Sequence, residues 1–176
     1  MSNKLSKLKI KNEDELSSQF SSWLRKDRGR HVKGIEYFLN KRSENTDLLI
    51  LEVAREHKLN QISNLGLFTV GGYGRSELHP HSDIDLLLLS EKTLTKSNQK
   101  KVEKFIGHLW DLGLDIGHSV RTTKQGLDQA RKDVRTMTNM LEYRKLLGNK
   151  EVLNNFLTLL ETKNLWRNKK FFEAKL

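Results

Sequence analysis

Asp83 and Asp85 stand one residue apart at the head of an apolar run, Ile84 to Leu89, in the stretch "VGGYGRSELHPHSDIDLLLLS", Val70 to Ser90. Carboxylates beside a buried segment are costly unless positive charge meets them. Side chains alternate faces along a strand, so Asp83 and Asp85 project together, with Ile84 and Leu86 on the opposite side. Two acids held that close repel each other. A pair of hard divalent ions, about 3.5–4 Å apart in two-metal phosphoryl-transfer sites, is the compensation this pattern suits.

The glycines fit the same chemistry. Gly71 and Gly72 end an apolar run, where backbone N–H groups can approach phosphate oxygens with no Cβ in the way. Arg75 follows within reach of a triphosphate, and Ser82 joins it as a nucleotide-binding candidate. A helix opening at "YGRSEL" would add partial positive charge. A third carboxylate would complete a metal cage. Asp115, apolar on both sides in "LDI", is the first candidate; Glu77 and Asp111 read as helix or turn surface. Other readings stay open. An Asp-x-Asp can cap a strand-edge turn, and His79 and His81 could join Asp83 in a metallohydrolase site, although zinc sites usually need more histidine or cysteine at matched spacing. His118 is most simply a strand residue.

The elements that must position these residues follow from periodicity. Residues 12–59 read as helical, with Ile35, Phe38 and Leu39 at i, i+3, i+4 and a face continuing through Leu48, Leu51, Val53 and Ala54. "LGLFTV" (Leu65–Val70) and "IDLLLL" (Ile84–Leu89) read as strands. Val102, Phe105, Ile106, Leu109 and Trp110 mark an amphipathic helix closed by Gly113. "LDIGHSV" (Leu114–Val120) reads as a third strand. Val134, Met137 and Leu141 predict a helix out to Gly148, and Val152 to Leu160 another. Trp110 and Trp166 read as core. The expected fold is α+β with an α/β-type core: a small mixed sheet flanked by helices at both ends. Its division is a helical segment over 1–60, a catalytic core over 61–122 and a second helical segment over 123–176.

Composition narrows the class. The chain has 176 residues, no cysteine and a formal net charge of +10. Without cysteine there are no disulfides or thiolate metal sites. No apolar stretch approaches the roughly 18 residues of a membrane span, and the N-terminal residues lack a secretory pattern, so a cytoplasmic protein with no membrane partner is expected. Lysines and arginines are scattered without interleaved aromatics, the pattern of solvated helix faces more than of a nucleic-acid surface.

The string "GGYGRSELHPHSDIDLLLL" resembles the nucleotidyltransferase signature of the DNA-polymerase-β-like superfamily: apolar strand, glycine pair, turn, then Asp-apolar-Asp on the next strand. With "LWDLGLDIGHSVRT" and "NMLEYRKLLGN", it is similar to the N-terminal domain of the family of bifunctional uridylyltransferase/uridylyl-removing enzymes acting on the nitrogen-regulatory protein PII. The resemblance runs from about residue 65 onward.

It implies transfer of UMP from UTP to a tyrosine hydroxyl of PII with Mg²⁺ or Mn²⁺. Gly71 and Gly72 match the phosphate-binding glycines, Asp83 and Asp85 the metal-binding aspartates, and Asp115 the third acid. In the related glutamine-synthetase adenylyltransferases that acid sits where this chain places Gly117. The family continues into a His-Asp hydrolase domain and sensing domains, and no adjacent His-Asp pair occurs in these 176 residues. The uridylyl-removing activity is therefore not expected of this chain, and the last segment reads as truncated relative to the family. Two other functions remain: a non-catalytic nucleotide- or protein-binding module, and a stand-alone transferase modifying another protein or RNA.

Overall fold

A computed structural model describes residues 32–161 together with Ser18, Ser21 and Ser22. Expectations for the remaining residues, Trp166 among them, lie outside the described residues.

Helix α1 (Val32–Glu56) leads through a short 3₁₀ turn (Leu59–Gln61) into strand β1 (Leu65–Thr69). A four-residue helix α2 (Gly71–Gly74) and a loop connect to β2 (Ile84–Ser90). Helix α3 (Lys96–Asp111) crosses to β3 (Ile116–Thr122), and α4 (Thr123–Lys132), α5 (Val134–Leu141), β4 (Arg144–Gly148) and α6 (Lys150–Glu161) follow. The sheet order is β3-β2-β1-β4. β2 runs antiparallel to β1 and parallel to β3, and β4 is antiparallel to β1, so the sheet is mixed.

β1 and the apolar run of β2 are buried along their length because helices cover both faces of the sheet. Such strands read as unbroken apolar runs rather than alternations. On one face Leu65, Leu67, Ile84, Leu86 and Leu88 pack against Ile50 and Val53 of α1 and Val102, Phe105 and Leu109 of α3. On the other, Phe68, Leu87 and Leu89 pack against Ala130, Met137, Met140, Val152 and Phe156 of α4, α5 and α6. The parallel β2–β3 pair needs a crossover, which α3 supplies. Thr95 caps that helix by accepting the Asn98 N–H at 3.3 Å.

Three elements differ from the sequence reading. Residues 32–56 form one helix, and its core stripe runs Leu39, Ser43, Asp47, Ile50 and Ala54; Leu48 points outward, 67% exposed. Polar Ser43 and Asp47 sit inside this stripe, so apolar residues alone mis-phase it. In place of a helix out to Gly148, α5 stops at Leu141 and the chain returns as β4 along the free edge of β1, with a register shift between Leu67 and Phe68. Trp110 lies at the margin of the α3 stripe and is 52% exposed, its ring edge-on to His118 at 5.4 Å. No helix among the described residues is long and apolar enough to cross a membrane.

Candidate active site

The β1–β2 connection builds the site. Val70, at the end of β1, donates its N–H to the Asp85 carbonyl at 3.1 Å, which fixes where β2 begins relative to the glycines. Gly71 has φ +61, a conformation glycine adopts without steric cost. The chain then makes a tight turn, with Gly74 N–H to Val70 O at 3.0 Å, Arg75 N–H to Gly71 O at 3.1 Å and Glu77 N–H to Gly72 O at 2.9 Å. The helical turn therefore opens at Gly71 and has ended by Arg75, earlier and shorter than the "YGRSEL" reading. A Cβ added to Gly71 would stand 3.6 Å from Asp85 Oδ2. The space that a side chain would fill at Gly71 therefore borders the Asp85 carboxylate.

A cavity of ≈ 450 Å³ opens above this junction, and Gly72, Arg75, Ser82, Asp83 and Asp85 all line it. His79, His81 and Glu77 contribute to the same rim. Asp83 is exposed and Asp85 half-buried. Burial, and then the neighbouring Asp83 charge, raise the Asp85 pKa above the ordinary carboxylate value. Among the described residues no cation pairs with either acid, although Arg75 lines the same cavity. Its Nε donates to Glu77 Oε2 at 2.8 Å and its Nη1 to Glu142 Oε2, so its charge is shared with two other acids.

These features fit a hard divalent cation. Oxygen donors converge on a cavity, no described residue compensates their repulsion, and a glycine of the turn lines the same space. Mg²⁺ typically takes one or two protein carboxylates and completes its shell with water and substrate phosphates. The described residues offer that much and no more: no group of three His, Cys, Asp or Glu side chains among them is arranged to hold a metal.

Asp115 is exposed and precedes β3; its carbonyl accepts the Ile84 N–H at 2.8 Å, but the residue does not line this cavity. The strand position facing Asp85 belongs instead to Gly117, its register partner. A Cβ there would come within 2.4 Å of Asp85 Oδ1, so the bare backbone of Gly117 is what lets the Asp85 carboxylate take its place.

The sequence reading missed the residues that hold the glycine loop from below. Tyr73 is buried, and its hydroxyl donates to Asp47 Oδ1 at 2.6 Å. Arg144, from β4, donates through Nη2 to the same oxygen at 3.0 Å and through Nη1 to Asp47 Oδ2. Its guanidinium also lies 5.5 Å from the Tyr73 ring centroid. Burial first, and then the Asp47 charge, push the Tyr73 pKa far up, so the phenol stays protonated and donating. The only trace in the sequence is an aspartate in phase with an apolar helix stripe.

A family model described as "Nucleotidyltransferase domain" matches residues 47–137, from the clamp aspartate on α1 into α5. Three curated relatives carry the name "Bifunctional uridylyltransferase/uridylyl-removing enzyme". That of Pseudoalteromonas translucida is 38% identical over 162 residues, 92% of this chain and 18% of its own length. That of Hydrogenovibrio crunogenus is 42% identical over 81% of this chain and 16% of its own length. That of Pseudomonas putida is 36% identical over 84% of this chain and 16% of its own length. An alignment of 162 residues reaches well before residue 65, so the likeness extends into the N-terminal helical part. The chain spans less than a fifth of the length of these relatives.

Proposed function

We propose, for a chain that belongs to the nucleotidyltransferase domain family, a specific reaction: transfer of UMP from UTP to a tyrosine hydroxyl of the PII signalling protein, with release of pyrophosphate. The choice of uridylyl rests on the name shared by the curated relatives. The choice of PII rests on the resemblance carried by the three sequence strings. The reading is supported above all by one cavity lined together by Gly72 of the glycine turn and by Asp83 and Asp85.

In this reading the backbone N–H groups around Gly71 and Gly72 receive phosphate oxygens, and Arg75 and Ser82 flank them. Asp83 and Asp85 would hold Mg²⁺ or Mn²⁺, which when bound neutralises the phosphates and acidifies the attacking hydroxyl. The acceptor oxygen forms a bond to the α-phosphorus as the bond to the bridging oxygen breaks, and the hydroxyl proton passes to solvent. Such transfers need positioning and charge neutralisation more than covalent help from the protein. The clamp of Tyr73, Asp47 and Arg144 supplies positioning by fixing the loop before substrate arrives. The reading asks nothing of Asp115.

The test is incubation of the chain with α-phosphate-labelled UTP, Mg²⁺ and PII. Label should appear on PII and disappear with Asp83→Asn or Asp85→Asn, each with its circular dichroism unchanged. Undiminished labelling by Asp85→Asn would reject the site. UTP binding without any transfer would reject the enzymatic reading in favour of a binding module.

A further inference from the structure

Asp85 borders a second cavity, of ≈ 310 Å³, on the sheet face covered by α5. Asp85 is the one residue common to the linings of the two cavities. Gly117, Ser119 and Arg121 of β3 form the floor, two residues apart and therefore on one face. Together they cover about 13 Å of strand. Thr136, Asn139 and Met140 of α5 form the opposite wall.

Thr136 is tied to Asp133 by its hydroxyl at 2.6 Å, but three other polar groups here are uncommitted. Arg121 forms no ion pair with any described residue, and the side chains of Asn139 and Ser119 make no hydrogen bond among the described residues. In the first cavity, by contrast, Arg75 is held by two acids.

We propose that this second cavity receives the nucleoside end of the substrate, with Asn139 and Arg121 reading the hydrogen-bonding edge of a uracil base. The inference rests on the nucleotidyltransferase reading and deepens it. The α-phosphate is where the triphosphate and nucleoside portions of a nucleotide meet, and Asp85 is where the two cavities meet. With the triphosphate over Gly72 and Arg75, the ribose and base fall along Gly117 to Arg121.

The chemistry of the walls selects the base. The edge of uracil presents a carbonyl, an N–H and a second carbonyl. Asn139 offers one donor and one acceptor, matching the N–H and either carbonyl; Arg121 offers only donors, matching the other carbonyl. With Asn139 on the N–H and the C2 carbonyl and Arg121 on the C4 carbonyl, cytosine and adenine each put an exocyclic amine, itself a donor, where Arg121 also donates. Met140, Leu87 and Val70 supply the apolar surface against which a ring can lie.

The test measures equilibrium binding of UTP, CTP and inorganic tripolyphosphate, each with Mg²⁺, to the unaltered chain, Asn139→Ala and Arg121→Ala. Asn139 is exposed and Arg121 half-exposed, and circular dichroism verifies that both variants keep the fold. Each variant should weaken UTP binding about tenfold, the loss of one good hydrogen-bonding partner, and leave tripolyphosphate unchanged. Arg121→Ala should also abolish preference for UTP over CTP. Unchanged UTP affinity, or equal weakening of tripolyphosphate, overturns the inference while leaving the nucleotidyltransferase reading standing. Unchanged UTP affinity with a raised KM for PII assigns the cavity to the acceptor and overturns it as well. If the unaltered chain binds neither UTP nor tripolyphosphate, the parent reading fails and takes this inference with it.

Discussion

Tyr73 and Asp47, 26 residues apart in sequence, are joined by a 2.6 Å hydrogen bond beneath the glycine loop. This bond ties the loop to α1, and Arg144 ties the same aspartate to β4. The turn is therefore not a free connection between two strands. It is tied down by a partly buried acid whose two oxygens are shared between a phenol and a guanidinium.

Replacing Asp47 with Ala should consequently cost more than the hydrogen bonds it removes, because Arg144 is left with no anion among the described residues. Breaking a fully buried ion pair from one side costs about 3–5 kcal/mol. The Arg144 and Asp47 side chains retain 28% and 17% exposure, which places the loss nearer about 2–3 kcal/mol. Tyr73→Phe removes one hydrogen bond to a carboxylate that keeps its guanidinium partner, and should cost less, about 1.5 kcal/mol. Urea unfolding of both variants checks the order. Equal losses would mean that the ion pair contributes nothing beyond the phenol hydrogen bond.

A second prediction concerns Asp85 in the absence of metal. Its folded-state pKa lies above its unfolded value, because burial and the Asp83 charge disfavour the carboxylate. For an acid shifted upward the sign is fixed: ionisation destabilises the fold above the folded pKa, and the penalty disappears as pH falls below the unfolded value. Asp85→Asn should thus raise the melting temperature of the metal-free chain at neutral pH by a few degrees, and the difference should vanish in acid. Thermal melts across pH in excess chelator decide it. A variant less stable than the parent at pH 7 would contradict the assigned cause. A gain in stability alongside loss of function is what a site holding two repelling acids should show.

Much of this was legible from residue types. β1 and β2 are long apolar runs bounded by glycine and by polar turns, and α3 carries an uninterrupted stripe, so their periods are unmixed. The Asp-x-Asp spacing alone places Asp83 and Asp85 near one another. β4 was not legible: "RKLLG" opens with two cations, lacks alternation and gains its strand character only by pairing with the edge of β1. Asp47 escaped for the opposite reason. A polar residue on the buried face of a helix looks like a break in the stripe until its partners, 26 and 97 residues away, are brought to it by the fold. Asp115 stands one residue before β3 as Asp83 stands one residue before β2, and the strand position in register with Asp85 is a glycine, which only the pairing of the two strands reveals.

That glycine supports the last prediction. Gly117 is not among the residues with positive φ, so alanine suits its backbone and only the collision is tested. The added Cβ would sit 2.4 Å from Asp85 Oδ1, well inside contact distance, and either the carboxylate or the strand must move. The carboxylate is the softer element, because β3 is held to β2 by a ladder of seven register pairs from Ile84–Ile116 to Ser90–Thr122. Gly117→Ala should therefore fold, with a loss of about 1–3 kcal/mol typical of overpacking, while Asp85 turns away from Asp83. Mg²⁺-dependent UTP binding should weaken about tenfold, equivalent to one misplaced charged ligand. Calorimetric titration with UTP and Mg²⁺, set beside urea unfolding of the same variant, separates the two effects. Intact Mg²⁺-dependent binding in a stable Gly117→Ala chain would show that the Asp85 position seen here is not the one that binds.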